Sequence, residues 1–467
     1  MTNSSATSQL ATVPPINSNA TPRVSAASSP GTLDQNRLCD PGSCIAELNK
    51  RYALVKLGGK ALVVDEYEGN VDFINPPDFE RLYNNVQVPD GNRSAPLGRH
   101  WLNHSQRRQY TDGLVFDPSL NSQGGKYNLW KGFAVEPDRS KACTLFLEHV
   151  ETVICGGNPE HFEYLLNWLA LLVQQPATLP QVALVLKSEQ GTGKGLFVEY
   201  LGKILGRHYK HLTDKSHLVG RFSGHLHDAV LVFADELGWD GNSKSESGAL
   251  KGLITEPTRM LEKKFANAEA VKNCVHLIVA SNEDWVVPAE ISDRRYCVLE
   301  VSGCKRGDHD YFDALVLEMQ NGGPSRLLYD LLTRDISGFE PKRFPRTSAR
   351  VSQQLQSLDP IEQWLVERLQ LDVVEGADWP HKSPKAEVYE RFRKWFRERQ
   401  IRAIQPNPGT FTSTLKKYGI TTGKMPAVNG RRAPGYQFPP PAQFEPSLKS
   451  FSVVPSSGRV EPNNAPS

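Results

Sequence analysis

The chain has 467 residues, 39% of them hydrophobic, enough for two or three domains with substantial cores and too many for a small disulfide-stapled module. Lysine plus arginine (54) nearly cancels aspartate plus glutamate (52), so the overall balance says little about partners and any nucleic-acid surface must come from local clustering. The seven cysteines are scattered, with Cys39 and Cys44 the one close pair and no zinc-site spacing, and no apolar run reaches membrane-spanning length, so a protein with reduced thiols, no membrane contact and a cytoplasmic location is expected.

In chain order, residues 1–38 are rich in Ser, Thr, Asn, Ala and Pro and are expected to form a disordered tail, because they carry too little apolar surface to fold. Residues 39–142 are expected to form an N-terminal α+β domain. Tyr52-Ala-Leu-Val-Lys-Leu57, the pair Gly58-Gly59 and Ala61-Leu-Val-Val-Asp65 predict a β-hairpin, and the aromatics from Phe79 to Phe133 read as a small core rather than a base-stacking platform. Residues 143–180 show helical spacing, with Leu145, Phe146, Val150, Val153 and Ile154, then Leu165, Trp168, Leu169 and Leu172, and predict a helical collar ending in a linker from Pro176 to Pro180.

Residues 181–334 carry the chemistry and are expected to form an α/β sheet domain. The apolar run Val182-Ala-Leu-Val-Leu186 leads into Ser188-Glu-Gln-Gly-Thr-Gly-Lys-Gly195, which reads as a strand entering a phosphate-cradling loop. Gly191 and Gly193 let the backbone amides around Thr192 curl about a polyphosphate, Lys194 supplies charge for the β and γ phosphates, and the helix that follows presents its positive end. The full pattern asks for Gly first and for Ser or Thr after the lysine. Ser188 and Gly195 stand there, so the usual hydroxyl ligand for magnesium is missing. Taken alone, the loop would also pass for a plain strand-to-helix turn.

A second buried-strand run, Ala229-Val-Leu-Val-Phe-Ala234, ends in Asp235-Glu236, where Asp235 would hold magnesium through its water shell and Glu236 would orient or deprotonate an attacking water. A third, His276-Leu-Ile-Val-Ala280, leads into Ser281-Asn282. Asn282 would sense a γ phosphate or position water, unless it simply caps a turn. Arg294 and Arg295 precede the strand-like Tyr296-Cys-Val-Leu-Glu-Val301 and suit either an arginine finger offered to a neighbouring subunit or a surface ion pair. Between the second and third strands lies a basic insert with Arg259, Lys263 and Lys264, suited to track a nucleic-acid backbone from a central pore or to form an exposed amphipathic hairpin.

Residues 335–359 are polar and read as a connector, and residues 360–438 as a compact cationic module. Between 381 and 435 its lysines and arginines are opposed only by Glu387, Glu390 and Glu398. A helix from Glu387 to Gln400, a second over Asn407-Pro-Gly-Thr-Phe-Thr-Ser-Thr-Leu-Lys-Lys417 and a β-wing ending in Arg431-Arg-Ala-Pro-Gly-Tyr-Gln-Phe438 predict a winged-helix-like DNA-binding domain. The second helix is its recognition helix, with Lys416, Lys417, Arg431 and Arg432 on the nucleic acid. A cationic protein-docking domain is the plainer alternative. Residues 439–467 return to Pro, Ser and Asn and are expected to be a second disordered tail.

The ordered set of Ser188 to Gly195, Asp235-Glu236, the insert through Lys263-Lys264, Ser281-Asn282 and Asp293-Arg-Arg295 resembles the superfamily 3 helicases of phages and plasmids. More closely, it resembles the helicase part of phage primase-helicase replication proteins. The resemblance covers residues 45–335, including Tyr127-Asn-Leu-Trp-Lys-Gly-Phe133 and Leu250-Lys-Gly-Leu-Ile-Thr-Glu-Pro257. It implies a AAA+ type P-loop ATPase that uses ATP and Mg2+, assembles as a ring, usually a homo-hexamer, and moves along single-stranded DNA with 3′ to 5′ polarity. ATP would sit between subunits, with Lys194, Asp235 and Glu236 acting from one and Arg294 or Arg295 from the next. The basic insert would line the channel, and the C-terminal module would help bind duplex DNA at or near an origin.

Gly195 departs from the usual pattern, so the metal would lean on Asp235, phosphates and water, or on a hydroxyl from elsewhere such as Thr192. Before residue 180 no acidic pair with a partner histidine supports nucleotidyl transfer, so priming is expected from a separate primase or polymerase. The expected function is an ATP-dependent DNA helicase of phage or plasmid replication. The alternatives are an ATP-binding origin or assembly protein without unwinding activity, and another P-loop ATPase that packages or remodels nucleic acid.

Overall fold

The computed structural model describes residues 41–67, 69–90, 93–120, 124–220, 224–236, 244–261, 269–282, 294–345, 347, 358–374, 382–401, 404–424 and 433–439. The expected tails fall almost wholly outside them. The mixed α/β chain divides into two compact units, Met1–Leu114 with Gly125–Tyr127, and Val115–Gly124 with Asn128–Ser467.

In the first unit, α1 (Pro41–Arg51) leads into the expected hairpin of β1 (Tyr52–Leu57) and β2 (Lys60–Tyr67). Gly58 and Gly59, at φ +55° and +80°, take the left-handed backbone that its tight turn requires. With β3 (Asn70–Ile74) and β4 (Gln109–Tyr110) the sheet runs β3-β2-β1-β4. Helices α2 (Pro76–Leu82) and α3 (Leu97–Asn103) close over it, and Tyr52, Phe79, Tyr83 and Trp101 pack edge to face or tilted, as a core and not as a base-stacking surface. Arg108 is no free basic group either, since it donates to Glu66 at 2.7 Å. Cys44 is disulfide-bonded, a departure from the expected reduced thiols, whereas Cys143, Cys155, Cys274, Cys297 and Cys304 are free.

The first unit stops well short of residue 142. Residues 128–142 belong to the second unit because Trp130 stacks on His208 with centroids 4.5 Å apart and the Ala134 amide donates to Ile204 O at 2.7 Å. The collar follows as α4 (Thr144–His149), a π-helical turn (Val150–Ile154) and α5 (Pro159–Gln174), the last capped by the Asn158 side chain.

The main sheet contains β5 (Ala183–Lys187), followed by α6 (Lys194–Leu205), then β6 (Tyr209–Leu212) and β7 (Leu231–Asp235), followed by α7 (Lys244–Thr255). A hairpin of β8 (Thr258–Leu261) and β9 (Glu269–Lys272) precedes β10 (His276–Ser281) and β11 (Tyr296–Glu300). The five sheet strands are all parallel, in the order β6-β7-β10-β5-β11. Their continuous apolar runs follow from burial on both faces. Leu184, Leu186, Leu231 and Phe233 point into one core with α5, α6, α8 (His309–Gln320) and α9 (Gly323–Thr333), while Ala183, Val185, Val232 and Ala234 point into the other with Leu250 and Ile254 of α7.

The start of the expected connector is not a loose tether. Tyr164 donates to Pro341 O at 2.7 Å, and Phe339 and Phe344 pack on the Tyr164 ring, because this polar-looking stretch spends its few aromatics on the core.

The last module comprises α10 (Pro360–Val374), β12 (Lys382–Pro384), α11 (Lys385–Glu398), α12 (Pro408–Lys417), β13 (Thr421–Lys424) and β14 (Pro434–Gln437), with the antiparallel order β12-β14-β13. Trp364, Phe392, Phe411 and Tyr436 form its core. Asn407 caps α12 by accepting from the Thr410 amide at 2.9 Å, and Pro408 occupies the first turn where no amide bond is lost.

Just before β7, the fully buried Asp228 accepts from Arg207 at 2.7 Å and meets Lys210 at 3.1 Å. Burial pushes its carboxyl up, but the charges of His227, Lys210 and Arg207 outweigh this and hold it below the usual carboxylate range. A depressed folded-state pKa stabilises the fold fully above the ordinary aspartate value of about 3.9 and loses that contribution as pH falls through the lower one. Asp228→Ala should therefore cost about 3–5 kcal/mol in denaturant unfolding at neutral pH. The stability gap between the parent and Asp228→Asn should narrow below about pH 4; a gap that stays constant with pH would contradict the ionised pairing.

Candidate functional site

At the C-terminal end of β5 the chain turns through Ser188–Gly193 into α6. Gly191 and Gly193 sit at φ +80° and +94°, in the left-handed region that side chains resist. Gly193 has a second reason to lack one. A Cβ there would lie 2.5 Å from His149 Cε1 and 2.9 Å from the Phe312 ring. His149, fully buried at the end of α4, has Nε2 3.3 Å from Gly193 O and Nδ1 3.0 Å from the Tyr311 hydroxyl. A carbonyl only accepts, so Nε2 carries the proton and Nδ1 accepts from Tyr311. Burial pushes the imidazole down to about 4, which keeps it neutral at physiological pH. The π-helical turn beginning at Val150 follows this histidine directly, a placement common beside working sites.

Lys194 is 8% exposed, and its Nζ donates among Ser188 O (3.1 Å), Ser188 Oγ (2.7 Å), Glu189 O (3.0 Å) and Asn282 Oδ1 (2.9 Å). Burial lowers its pKa, and the negative charges of Asp235 and Glu236 oppose that shift. Asn282, at the end of β10, passes the contact on by donating from Nδ2 to Glu236 Oε1 at 2.5 Å. Glu236 sits just past β7 at φ +52°, a strained conformation for a side-chain-bearing residue, held by its amide donating to Ala280 O at 3.0 Å. Lys194, Asn282 and Glu236 thus line up across the ends of three adjacent strands, with Asp235 beside them.

Thr192 and Gly195 answer the question of the missing hydroxyl differently. Thr192 Oγ1, one of the alternative donors considered above, is buried, 2.6 Å from Ser188 Oγ and 3.3 Å from Glu189 O, so its hydroxyl is engaged within the loop. A Cβ added at Gly195 would meet nothing within 4 Å, so that position faces open space. The carboxylate of Asp235 suits a divalent cation such as Mg2+. Among the described residues no group of three His, Cys, Asp or Glu side chains could hold a metal by itself, so a cation here would need oxygens from a bound nucleotide or water.

Arg294 and Arg295 are not part of this cluster. They precede β11, where Arg295 O accepts from the Ala183 amide at the start of β5, whereas Lys187 at its other end pairs with Glu300. The strand length, about 16 Å, separates them from the glycine loop of their own chain. Arg259 also departs from expectation. Its guanidinium turns inward to donate to Leu226 O, and burial pushes its pKa down to about 10, so it anchors β8 instead of facing nucleic acid. Alternation along the strand leaves Met260, 58% exposed, on the outer face. Lys263 and Lys264 lie outside the described residues, as do Arg431 and Arg432.

In the last module Lys416 and Lys417 are exposed at the end of α12 and have no ion pair among the described residues. On α11, by contrast, Arg391, Arg393 and Lys394 are paired with Glu387, Glu390 and Glu398. α12 therefore carries two of the module's unneutralised charges.

Sequence reasoning missed His149 and Tyr311, which back the loop from other helices. It also missed Arg306, which pairs with Glu189 and lies against Gly191, and His211, whose Nε2 is 3.4 Å from Asp235 Oδ2. None of them lies in a local motif. Only His211 carried a signal, as a polar residue near the end of a strand that joins the site's sheet.

Residues 186–295, which hold the loop, both carboxylates and Asn282, match the model of a family of unknown function (DUF5906). Over 138 residues the chain is 35% identical to the DNA Primase-polymerase of Nitratiruptor phage NrS-1, a match that covers 29% of this chain and only 19% of that protein's length. Its fold is similar to the apo structure of the NrS-1 C terminal region (305–718), with a TM-score of 0.60 and 18% identity, covering 85% of this chain and 98% of that one. The A form apo structure of the same region gives a TM-score of 0.60 and 17% identity, covering 85% and 99%. Among the described residues no helix is long and apolar enough to cross a membrane.

Two glycines two positions apart should respond oppositely to alanine. Gly193→Ala, strained and in collision with His149, should destabilise by about 1–3 kcal/mol in urea unfolding. Gly195→Ala, with open space and a helical backbone, should stabilise by about 0.5–1 kcal/mol. Equal effects at the two positions would rule out the loop conformation described.

Proposed function

We propose that the chain is an ATP-driven DNA helicase of phage or plasmid type replication, a AAA+ type P-loop ATPase acting on single-stranded DNA as a ring, with a winged-helix-like C-terminal module. The observation that carries this reading is the hydrogen-bonded line Lys194–Asn282–Glu236 across three neighbouring strand ends, beside Asp235 and beneath a glycine loop. It supplies in one place what phosphoryl transfer to water demands: a cation for the phosphates, a carboxylate for the water and a polar group between them. A DNA Primase-polymerase of phage NrS-1 as a relative supports a replication setting.

On this reading ATP lies over Gly191–Gly195, and Lys194 exchanges loop carbonyls for phosphate oxygens. Glu236 takes the proton of the attacking water as that water's oxygen bonds to the γ phosphorus and the bond to the β–γ bridging oxygen breaks. Asn282 holds Glu236 in register with the lysine. Mg2+, when bound, supplies charge neutralisation at the phosphates, with Asp235 to hold it. The distance of Arg294 and Arg295 from their own loop supports a role in trans, which makes a ring, a homo-hexamer in the resembled family, the working form. Lys416 and Lys417 are assigned to duplex DNA near an origin, with priming left to a separate primase or polymerase.

Lys194→Ala should abolish DNA-stimulated phosphate release and strand separation together. Glu236→Gln should keep nucleotide binding while slowing turnover by about 100-fold or more. Hydrolysis without unwinding on forked DNA of either tail polarity would instead favour a packaging or remodelling ATPase. Binding without multiple turnovers would favour an assembly protein in which ATP is structural.

Replacing Lys416 and Lys417 by alanine should weaken DNA binding evenly across sequences and lower the salt slope of log K by about 1 per lysine. An unchanged slope would remove α12 from the DNA interface.

A further inference from the structure

The loop lacks the hydroxyl that usually completes a metal's shell, yet an imidazole stands beside the carboxylate meant to hold that metal. His211 and Asp235 lie on adjacent parallel strands, β6 and β7, at the C-terminal edge where sheets of this kind bind ligands. His211 is level with Phe233, packs on its ring with centroids 5.0 Å apart, and reaches along the same face to Asp235 two residues on. The His211 Nε2 to Asp235 Oδ2 distance is 3.4 Å, with side chains 47% and 31% exposed.

We propose that His211 Nε2 and the Asp235 carboxylate together ligate the divalent cation that accompanies nucleotide at this loop, giving a site that favours imidazole-binding ions such as Mn2+ over Mg2+. The proposal rests on the nucleotide-binding reading above and names the group that replaces the absent hydroxyl. Three observations converge on it. Gly195 offers no side-chain donor, and a Cβ there would meet no protein atom within 4 Å. Thr192 is held beneath the loop by Ser188 and Glu189 O. Finally, two donors each about 2.1 Å from a shared ion lie about 3.0–3.4 Å apart when they subtend a near-right to tetrahedral angle, which is the spacing of this pair.

The ion's identity follows from donor chemistry. Mg2+ demands oxygen ligands in near-ideal octahedral geometry, whereas Mn2+ accepts an imidazole nitrogen alongside carboxylate, phosphate and water. With only two protein donors the cation needs phosphate oxygens as well, so its affinity should rise when nucleotide binds. A bland alternative is that His211 only hydrogen-bonds Asp235 and orients it, a role a glutamine amide can fill.

The test uses the full chain with Mn2+ and a non-hydrolysable ATP analogue. Pulsed electron paramagnetic resonance should show nitrogen coupling to Mn2+ in the parent, lost in both His211→Ala and His211→Gln. Titration of the free Mn2+ signal should show affinity weakened about 10-fold or more in both variants. Competition by Mg2+ should show its affinity nearly unchanged, and metal-free binding of a fluorescent ATP analogue should show that both variants keep the loop intact.

No nitrogen coupling in the parent with nucleotide bound, or full Mn2+ affinity in His211→Gln, would overturn the assignment while leaving the nucleotide reading intact. Nitrogen coupling that depends on His211 in a protein that binds no nucleotide would keep the ligand pair and defeat the nucleotide reading instead.

Discussion

The site depends on one constraint: the ammonium of Lys194 is taken largely out of water and must still be bonded. An unpaired buried cation is costly, so its surroundings have to supply acceptors on every side. The glycine loop supplies three of them by folding over the side chain, and Asn282 supplies the fourth from a strand far along the chain. That last bond is possible only because β10 is inserted between β5 and β7. The same insertion gives Asn282 a carboxylate neighbour on its other side, so the strand order that buries the lysine also aligns the acid.

The loop is equally constrained from behind. Its left-handed glycines would be free to sample many shapes in isolation, at an entropic cost on ordering. His149 and Phe312 leave no volume for a side chain at Gly193, and the histidine ties the Gly193 carbonyl to Tyr311 on α8. Helices on either side of the loop in sequence therefore hold one peptide. The strain at Glu236 belongs to the same arrangement, since its amide bond to Ala280 O fixes the carboxylate toward Asn282. On the proposed reading, rigidity at these points would favour electrostatic stabilisation of a phosphoryl group, because groups already in place need no reorganisation.

Charge in this protein divides by whether it is matched. Arg207 and Lys210 serve the buried Asp228, Arg259 caps a carbonyl inside the fold, and Arg391 and Arg393 of α11 lean on glutamates one turn away. Counting basic residues along the chain treats all of these alike. Only the packed structure separates them from Lys416 and Lys417, whose charge is left to solvent. The misreading of Arg259 has a simple origin: a strand turns alternate residues to opposite faces, and the face that is buried is set by what packs against it.

By itself the amino-acid sequence determined the elements of the site: apolar runs of strand length, each followed by polar residues, and a glycine-rich turn between a strand and a helix. It likewise determined that helices run from about Glu387 and from about Asn407 in the last module, because helical periodicity is a local signal. Tertiary structure alone decided the strand order, the trade of exposure for burial at Lys194, and the separation of Arg294 and Arg295 from their own loop. It also decided that Trp130 belongs with His208, that His149 and Tyr311 back the loop, and that His211 lies beside Asp235. The reason is the same in each case. These are contacts between residues tens to more than a hundred positions apart, and nothing in a local pattern records which distant surfaces the core will bring together.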